Sequence, residues 1–247
     1  MHRFYAPDLT PTESTVVLPV DEMQHLTRVL RLPPGAVVAV FDGRGGEFSA
    51  RVESAERGRV RLTLLEARDP VPEPAVPVTL AQAVLKSDKM DDVVRDAVMV
   101  GVAEVLPVVS ARAETSLEAL LRARRVERWK RIAVSSAKQC GRAVVPSVRE
   151  PVTLTSLVEK TADKGIRLVL VEPSLPEGRS VDTLRNEPRP SAALVLVGPE
   201  GGWTSTESDL LAGAGFRLVR IGPRTLRADA TPVAALTLLQ FIWGDLS

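Results

Sequence analysis

The chain has 247 residues, 45% of them hydrophobic, and its 32 basic and 31 acidic side chains leave a net charge of +1. That is enough apolar material for one large or two moderate cores, and the near balance of charge excludes a uniformly basic nucleic-acid binder. One cysteine, Cys140, and two histidines exclude an intrachain disulfide and a Cys/His zinc site, so no metal is expected. No apolar run approaches the roughly 18 to 20 residues that cross a bilayer, and the polar start Met1-His2-Arg3-Phe4-Tyr5 lacks a signal-peptide core. The expected location is the cytoplasm, with no membrane partner.

The first seventy residues read as short strands: His2 to Tyr5, Thr15 to Leu18, Ala36 to Phe41, Glu47 to Glu53 and Arg59 to Leu65. In the last of these Arg59, Arg61 and Thr63 take one face and Val60, Leu62 and Leu64 the other. One helix interrupts them. Asp21 is its expected N-cap, and Met23, Leu26, Val29 and Leu30 recur at helical spacing, which leaves Arg28 and Arg31 toward another side. The turn Asp42-Gly43-Arg44-Gly45-Gly46 joins two strands as a hairpin. A small β-barrel with one helix is the expected product. The stretch from Asp69 to Pro77 then carries four prolines in nine residues, too stiff and donor-poor for a central sheet. The domain boundary is placed there, giving residues 1–72 and 73–247.

From Val78 the rhythm changes. Strands are expected at Val78 to Leu85, Glu104 to Val109, Ile166 to Val171, Ala193 to Val197 and Phe216 to Ile221. Helices are expected from Asp88 to Val100, Ser116 to Cys140, Leu154 to Ala162, Ser205 to Ala214, and from Thr231 onward, with Thr231 as N-cap and Pro232 as N1. Such alternation predicts an α/β layer with a largely parallel sheet. Residues Pro173 to Pro190 read as a surface connection. Between Arg112 and Arg142 nine Lys or Arg stand against three acids, a charge excess that suits phosphates or a solvated helix face.

The chemistry concentrates in two loops. The run Leu194-Val195-Leu196-Val197-Gly198-Pro199-Glu200-Gly201-Gly202-Trp203 ends a strand in a glycine-rich turn, and Thr204-x-x-Glu207 predicts a capping box on the next helix. The turn fits neither G-x-G-x-x-G nor G-x-x-x-x-G-K-[ST], and Glu200 would repel a phosphate, which disfavours a nucleoside triphosphate. A second turn, Ile221-Gly222-Pro223-Arg224-Thr225-Leu226-Arg227, leads into the terminal apolar helix. Arg227 and Asp229 can form a local ion pair.

These paired loops resemble the RsmE family of ribosomal RNA methyltransferases, in the SPOUT class. Supporting matches are Arg3-Phe4-Tyr5, His25-Leu26-x-Arg28-Val29-Leu30-Arg31, Phe41-Asp42-Gly43-Arg44-Gly45, Lys89-Met90-Asp91 and Gln139-Cys140-Gly141-Arg142. The resemblance covers nearly the whole chain. It implies an N-terminal barrel similar to the PUA fold that helps hold RNA, and a C-terminal α/β domain tied in a deep trefoil knot. It also implies S-adenosylmethionine as cofactor, a homodimer, and methylation of N3 of a uridine in small-subunit ribosomal RNA, on the RNA or the assembled small subunit. The cofactor residues it implies are Leu196, Gly198, Pro199, Glu200, Gly201, Gly202, Ile221, Gly222 and Leu226, with Arg227 stabilising charge on the uracil. Glu200 and Asp229 are candidates to accept the N3 proton. Arg28, Arg31, Lys86, Lys89 and Arg142 are the candidate RNA contacts. The chain departs from the family pattern at Ala228-Asp229-Ala230-Thr231 and at Ala97-Val98-Met99-Val100-Gly101. Competing expectations are ribose 2′-O-methylation by another member of the class and a non-catalytic RNA-binding assembly factor.

Overall fold

The computed structural model describes residues 1–56, 58–161 and 165–246. They form two compact units. One is Met1–Glu73 with Val134–Val145, and the other is Pro74–Ala133 with the chain from Pro146 onward.

In the first unit β1 (Arg3–Tyr5), β2 (Thr15–Val17), β3 (Val37–Phe41), β4 (Glu47–Glu56) and β5 (Arg59–Ala67) make one sheet in the order β1-β3-β4-β5-β2. Its apolar face buries Phe4, Leu26, Val38, Val40, Val52 and Leu62. The expected alternation holds in β5, where Val60 and Leu62 are buried and Arg59 and Arg61 are exposed. Two register shifts interrupt the β4–β5 ladder. Each sets an unpaired residue against its partner strand, which bends and twists the ladder and curls the sheet around the core.

The helix of this unit differs from expectation. It is α1 (Val20–Gln24) followed by a π-turn over His25–Val29, and its N-cap is Pro19, with no side-chain cap; Asp21 lies inside it. The Leu30 N–H donates to the His25 carbonyl at 3.0 Å, five residues back. That wider winding rotates the apolar stripe, so Leu26 is buried while Val29 is 66% exposed. Residues 134–145 belong here because the Asp42–Gly46 turn receives them. The Val145 N–H donates to the Gly43 carbonyl at 2.9 Å and the Gly45 N–H to the Ala143 carbonyl at 3.2 Å.

The second unit contains β6 (Val78–Ala83), α2 (Lys89–Met99), β7 (Glu104–Val109), α3 (Leu117–Arg122), α4 (Arg125–Cys140), β8 (Ser147–Val148), β9 (Val152–Thr153) and α5 (Leu154–Lys160). It continues with β10 (Ile166–Leu170), β11 (Arg179–Ser180), a 3-10 turn over Val181–Asn186, β12 (Ala193–Val197), α6 (Ser205–Gly213), β13 (Arg217–Arg220) and α7 (Thr231–Trp243). Ala162, the expected end of α5, and the terminal Ser247 lie outside the described residues. The sheet order is β11-β13-β10-β12-β6-β7-β8, with β9 also on β7, and every described pairing is parallel. All residues of β6 and β12 are buried, as central parallel strands covered on both faces require.

Two expectations are corrected. The long helix expected from Ser116 is two helices, α3 and α4, because Arg124 adopts a left-handed φ of 48° that breaks the hydrogen-bond ladder. The N-cap of α7 is Ala230, with Thr231 in the first helical position. The Thr231 hydroxyl donates back to the Arg227 carbonyl at 2.8 Å and so does not cap the N–H groups ahead of it. Among the described residues no helix is long and apolar enough to cross a membrane.

Candidate functional site

Strands β13, β10 and β12 are neighbours, so their carboxyl ends stand side by side. This is where ligands bind in open parallel sheets. The segments leaving them, together with Lys89 at the start of α2 and Arg112 after β7, enclose a cleft of about 550 Å³. That volume lies in the range of small-molecule and cofactor sites.

The glycine turn is shaped by what it must avoid. A Cβ on Gly198 would stand 3.1 Å from the Trp203 indole, and Gly202 holds a φ of 67° with Glu172 Oε1 3.1 Å from the place of its missing Cβ. The Gly202 N–H donates to the Pro199 carbonyl at 3.0 Å, closing the turn. Trp203 Nε1 donates to the Leu170 carbonyl at 3.1 Å, which ties the turn to the end of β10. The predicted capping box forms: the Glu207 N–H donates to Thr204 Oγ1 at 3.2 Å, and the Thr204 N–H to Glu207 Oε2 at 2.9 Å. Glu207 Oε1 also accepts from the Ala111 N–H at 2.7 Å, so one buried carboxylate joins two loops.

Pro199 explains where the ladder stops. With Gln82 opposite Val197, the next donor to the Ala83 carbonyl would be the N–H of residue 199, which proline lacks. The fully buried Gln82 side chain supplies it, its Nε2 donating to that carbonyl at 2.9 Å.

Charge is arranged in pairs. Glu200 Oε1 accepts from Lys89 Nζ at 3.0 Å and from the Lys86 N–H at 3.3 Å. Partial burial pushes the Glu200 carboxyl up, but its own backbone N–H, the Lys89 ammonium and the Lys86 N–H together outweigh that and hold it below the usual carboxylate range. Arg227 grips Asp229 with two bonds, Nε to Oδ1 at 3.1 Å and Nη2 to Oδ2 at 2.6 Å, and these bonds are the largest cause of a lowered Asp229 pKa. Neither carboxylate is tuned toward proton acceptance at neutral pH.

Of the residues singled out in the sequence, Gly198, Pro199, Glu200, Gly202, Ile221, Leu226, Arg227 and Lys89 line this one cleft. Gly201 and Gly222 belong to the same turns beside it, and Leu196 is buried in the core beneath. Lys86 pairs with Glu114 at the surface. Arg28 and Arg31 are exposed on the first unit, without a side-chain partner among the described residues. Arg142 departs from expectation: it is 5% exposed, and its Nε donates to Glu73 Oε1 at 3.1 Å within the first unit. Its guanidinium is therefore committed to an internal ion pair and not displayed to phosphates.

The sequence read Arg112 only as part of a basic stretch, whereas its guanidinium donates to the Gly201 carbonyl, and it did not single out the wall from Leu170 to Leu175. Both lie far from the motifs along the chain. Of the departures from the family pattern, Ala228 lines the cleft, whereas Met99 is 42% exposed on α2. Among the described residues no cluster of His, Cys, Asp and Glu could hold a metal.

A family model described as an RNA methyltransferase domain matches residues 72–240, and one described as an RNA methyltransferase PUA domain matches residues 18–65. Ribosomal RNA small subunit methyltransferase E of Synechocystis is 34% identical over 91% of this chain and 72% of its own length. The protein of that name from Mycobacterium tuberculosis is 30% identical over 94% of this chain and 88% of its own. A crystal structure of ribosomal RNA small subunit methyltransferase E from Neisseria gonorrhoeae, bound to S-adenosyl methionine, superposes with a TM-score of 0.90 at 32% identity and covers all of both chains. A PUA-type curled sheet, a parallel α/β unit with a cleft at its strand ends, and these matches along almost the whole length lead to one assignment: the chain belongs to the ribosomal RNA small subunit methyltransferase E family.

Proposed function

We propose that the cleft binds S-adenosylmethionine and that the protein uses it to methylate N3 of a specific uridine in small-subunit ribosomal RNA. The observation that carries this is the convergence of both glycine turns on one cleft, where a Cβ at Gly198 would press on the Trp203 indole and one at Gly202 on Glu172. The residues fit an adenosyl ligand. Backbone of Gly198, Pro199, Gly202, Ile221 and Leu226 brackets its flat base and ribose, with Leu196, Gly201 and Gly222 shaping the same turns. Glu200 holds Lys89 and the turn in place. Bound S-adenosylmethionine supplies a methyl group activated by a sulfonium.

The N3 proton of uridine passes to solvent, which spreads negative charge onto the carbonyl oxygens until the nitrogen lone pair takes the methyl carbon and S-adenosylhomocysteine leaves. Arg227 is the group to meet that charge. It stays protonated and is 77% exposed, so exchanging Asp229 for a carbonyl oxygen requires no unburying. RNA is held by Arg28 and Arg31 on the first domain, residues 1–72, and by Lys86 and Lys89 on the second, residues 73–247. The protein works as a homodimer in the cytoplasm, on the RNA or the assembled small subunit, without a membrane or metal partner. Mass spectrometry of ribosomal RNA nucleosides from cells lacking the protein tests this: one N3-methyluridine should vanish and return with the gene, and an unchanged nucleoside profile would refute it.

A further inference from the structure

Three carboxylates line the cleft, Glu172, Glu200 and Asp229. Two are committed, Glu200 to Lys89 and the Lys86 N–H, and Asp229 to Arg227. Glu172, just after β10, has no hydrogen-bond or ion-pair partner for its side chain among the described residues. Its backbone is fixed on both sides. The Leu175 N–H donates to the Glu172 carbonyl at 3.0 Å, and the Leu170 carbonyl two residues earlier accepts from Trp203 Nε1 at 3.1 Å. Its Oε1 approaches the glycine turn so closely that a Cβ on Gly202 would stand 3.1 Å away. A carboxylate with unused acceptor capacity is thus held against the backbone assigned to the adenosyl ligand. Two carboxylate oxygens match two adjacent hydroxyls, each accepting one O–H, and the ribose is the part of that ligand with such a pair.

We propose that Glu172 is a cofactor-binding residue that accepts the ribose hydroxyls of S-adenosylmethionine, and that position 202 is glycine to leave this carboxylate room. The inference rests on the assignment of the cleft to that cofactor. Calorimetry with S-adenosylhomocysteine and its 2′-deoxy analogue, on wild-type protein and on Glu172→Gln and Glu172→Asp, tests it. Wild type should bind the deoxy analogue about tenfold more weakly, the loss expected for one hydrogen bond to a charged group. Glu172→Gln should bind S-adenosylhomocysteine about tenfold more weakly and discriminate little between the two ligands, while Glu172→Asp recovers part of the discrimination. Unchanged affinity in Glu172→Gln overturns the proposal, whether or not that variant still transfers methyl; lost transfer with normal binding would make Glu172 a proton acceptor instead. A variant that binds weakly yet discriminates as wild type does also overturns it. Wild-type protein that binds neither ligand refutes the cofactor assignment itself, a separate outcome. Thermal melts check that each variant is folded.

Discussion

Trp203 and Leu170 join two parts of the cleft that are 33 residues apart: the indole Nε1 donates to the Leu170 carbonyl at 3.1 Å, and the indole itself fills the space beside Gly198. The bond holds the end of β10 and the turn after β12 in one geometry, although the ladder between these strands has already ended. Trp203→Phe keeps most of the ring and removes the donor, leaving the buried Leu170 carbonyl without it. The expected cost is about 1–3 kcal/mol, read as a fall in Tm of about 2–4 °C per kcal/mol. Gly198→Ala drives a methyl into the indole at 3.1 Å. It should cost about 1–3 kcal/mol by overpacking and weaken S-adenosylmethionine binding in calorimetry. Wild-type affinity in Gly198→Ala would show that the indole's position does not matter to the site.

Arg227 is exposed and its pairing with Asp229 is local, so Arg227→Ala should leave the melting temperature and cofactor affinity near wild type. Single-turnover methyl transfer should fall by about 10²–10³, the range for removing one donor to a developing oxyanion. Unchanged transfer would reject its role.

The two glycine turns and the capping box were legible in the sequence because turn chemistry is local: glycine, proline and Thr-x-x-Glu act over a few residues. The same holds for alternation in β5. The failures are non-local. Glu172 fell between an expected strand and an expected surface connection and carried no motif, and only the parallel pairing of β10 with β12 brings it to the glycine turn. Arg142 read as surface charge because nothing in the sequence reveals that Glu73, 69 positions away, receives it. Pro199 was singled out as a cofactor residue, but only the register shows that it also withholds a ladder donor that Gln82 supplies. The π-turn over His25–Val29 has no composition signal, so Val29 was assigned to the wrong face.

Glu200 predicts a pH dependence. Its folded pKa is depressed below its ordinary value of 4.5, so it contributes stability above that value and loses it as pH falls through the lower folded value. Urea unfolding from pH 6 to 3 should show wild type losing stability below about pH 4.5 more steeply than Glu200→Gln, which is less stable than wild type at pH 6. Parallel curves would mean that the contacts to Lys89 and Lys86 do not favour the carboxylate.

In the first unit the charges proposed to hold RNA are distinct from the charges that hold the fold. Arg28→Ala and Arg31→Ala should each weaken RNA binding and reduce the salt slope by about 1, with unfolding unchanged. Arg3→Ala should instead destabilise by about 1–3 kcal/mol, because Glu47, 6% exposed and 2.6 Å from the Arg3 guanidinium, is left with Arg68 as its remaining cation. Arg142→Ala should also act on stability. Urea unfolding alongside filter binding at several salt concentrations distinguishes the two classes, and a salt slope altered by Arg142→Ala at unchanged stability would reverse its assignment.

The proposed reaction takes place at one atom of one base. Purified protein, S-adenosylmethionine and small ribosomal subunits from cells lacking the enzyme should be combined, and the digested RNA examined by mass spectrometry. The predicted result is close to one N3-methyluridine per subunit, formed about 10²–10³ more slowly when Arg227→Ala replaces wild type; a methyl on ribose, or none at all with wild type, would contradict this.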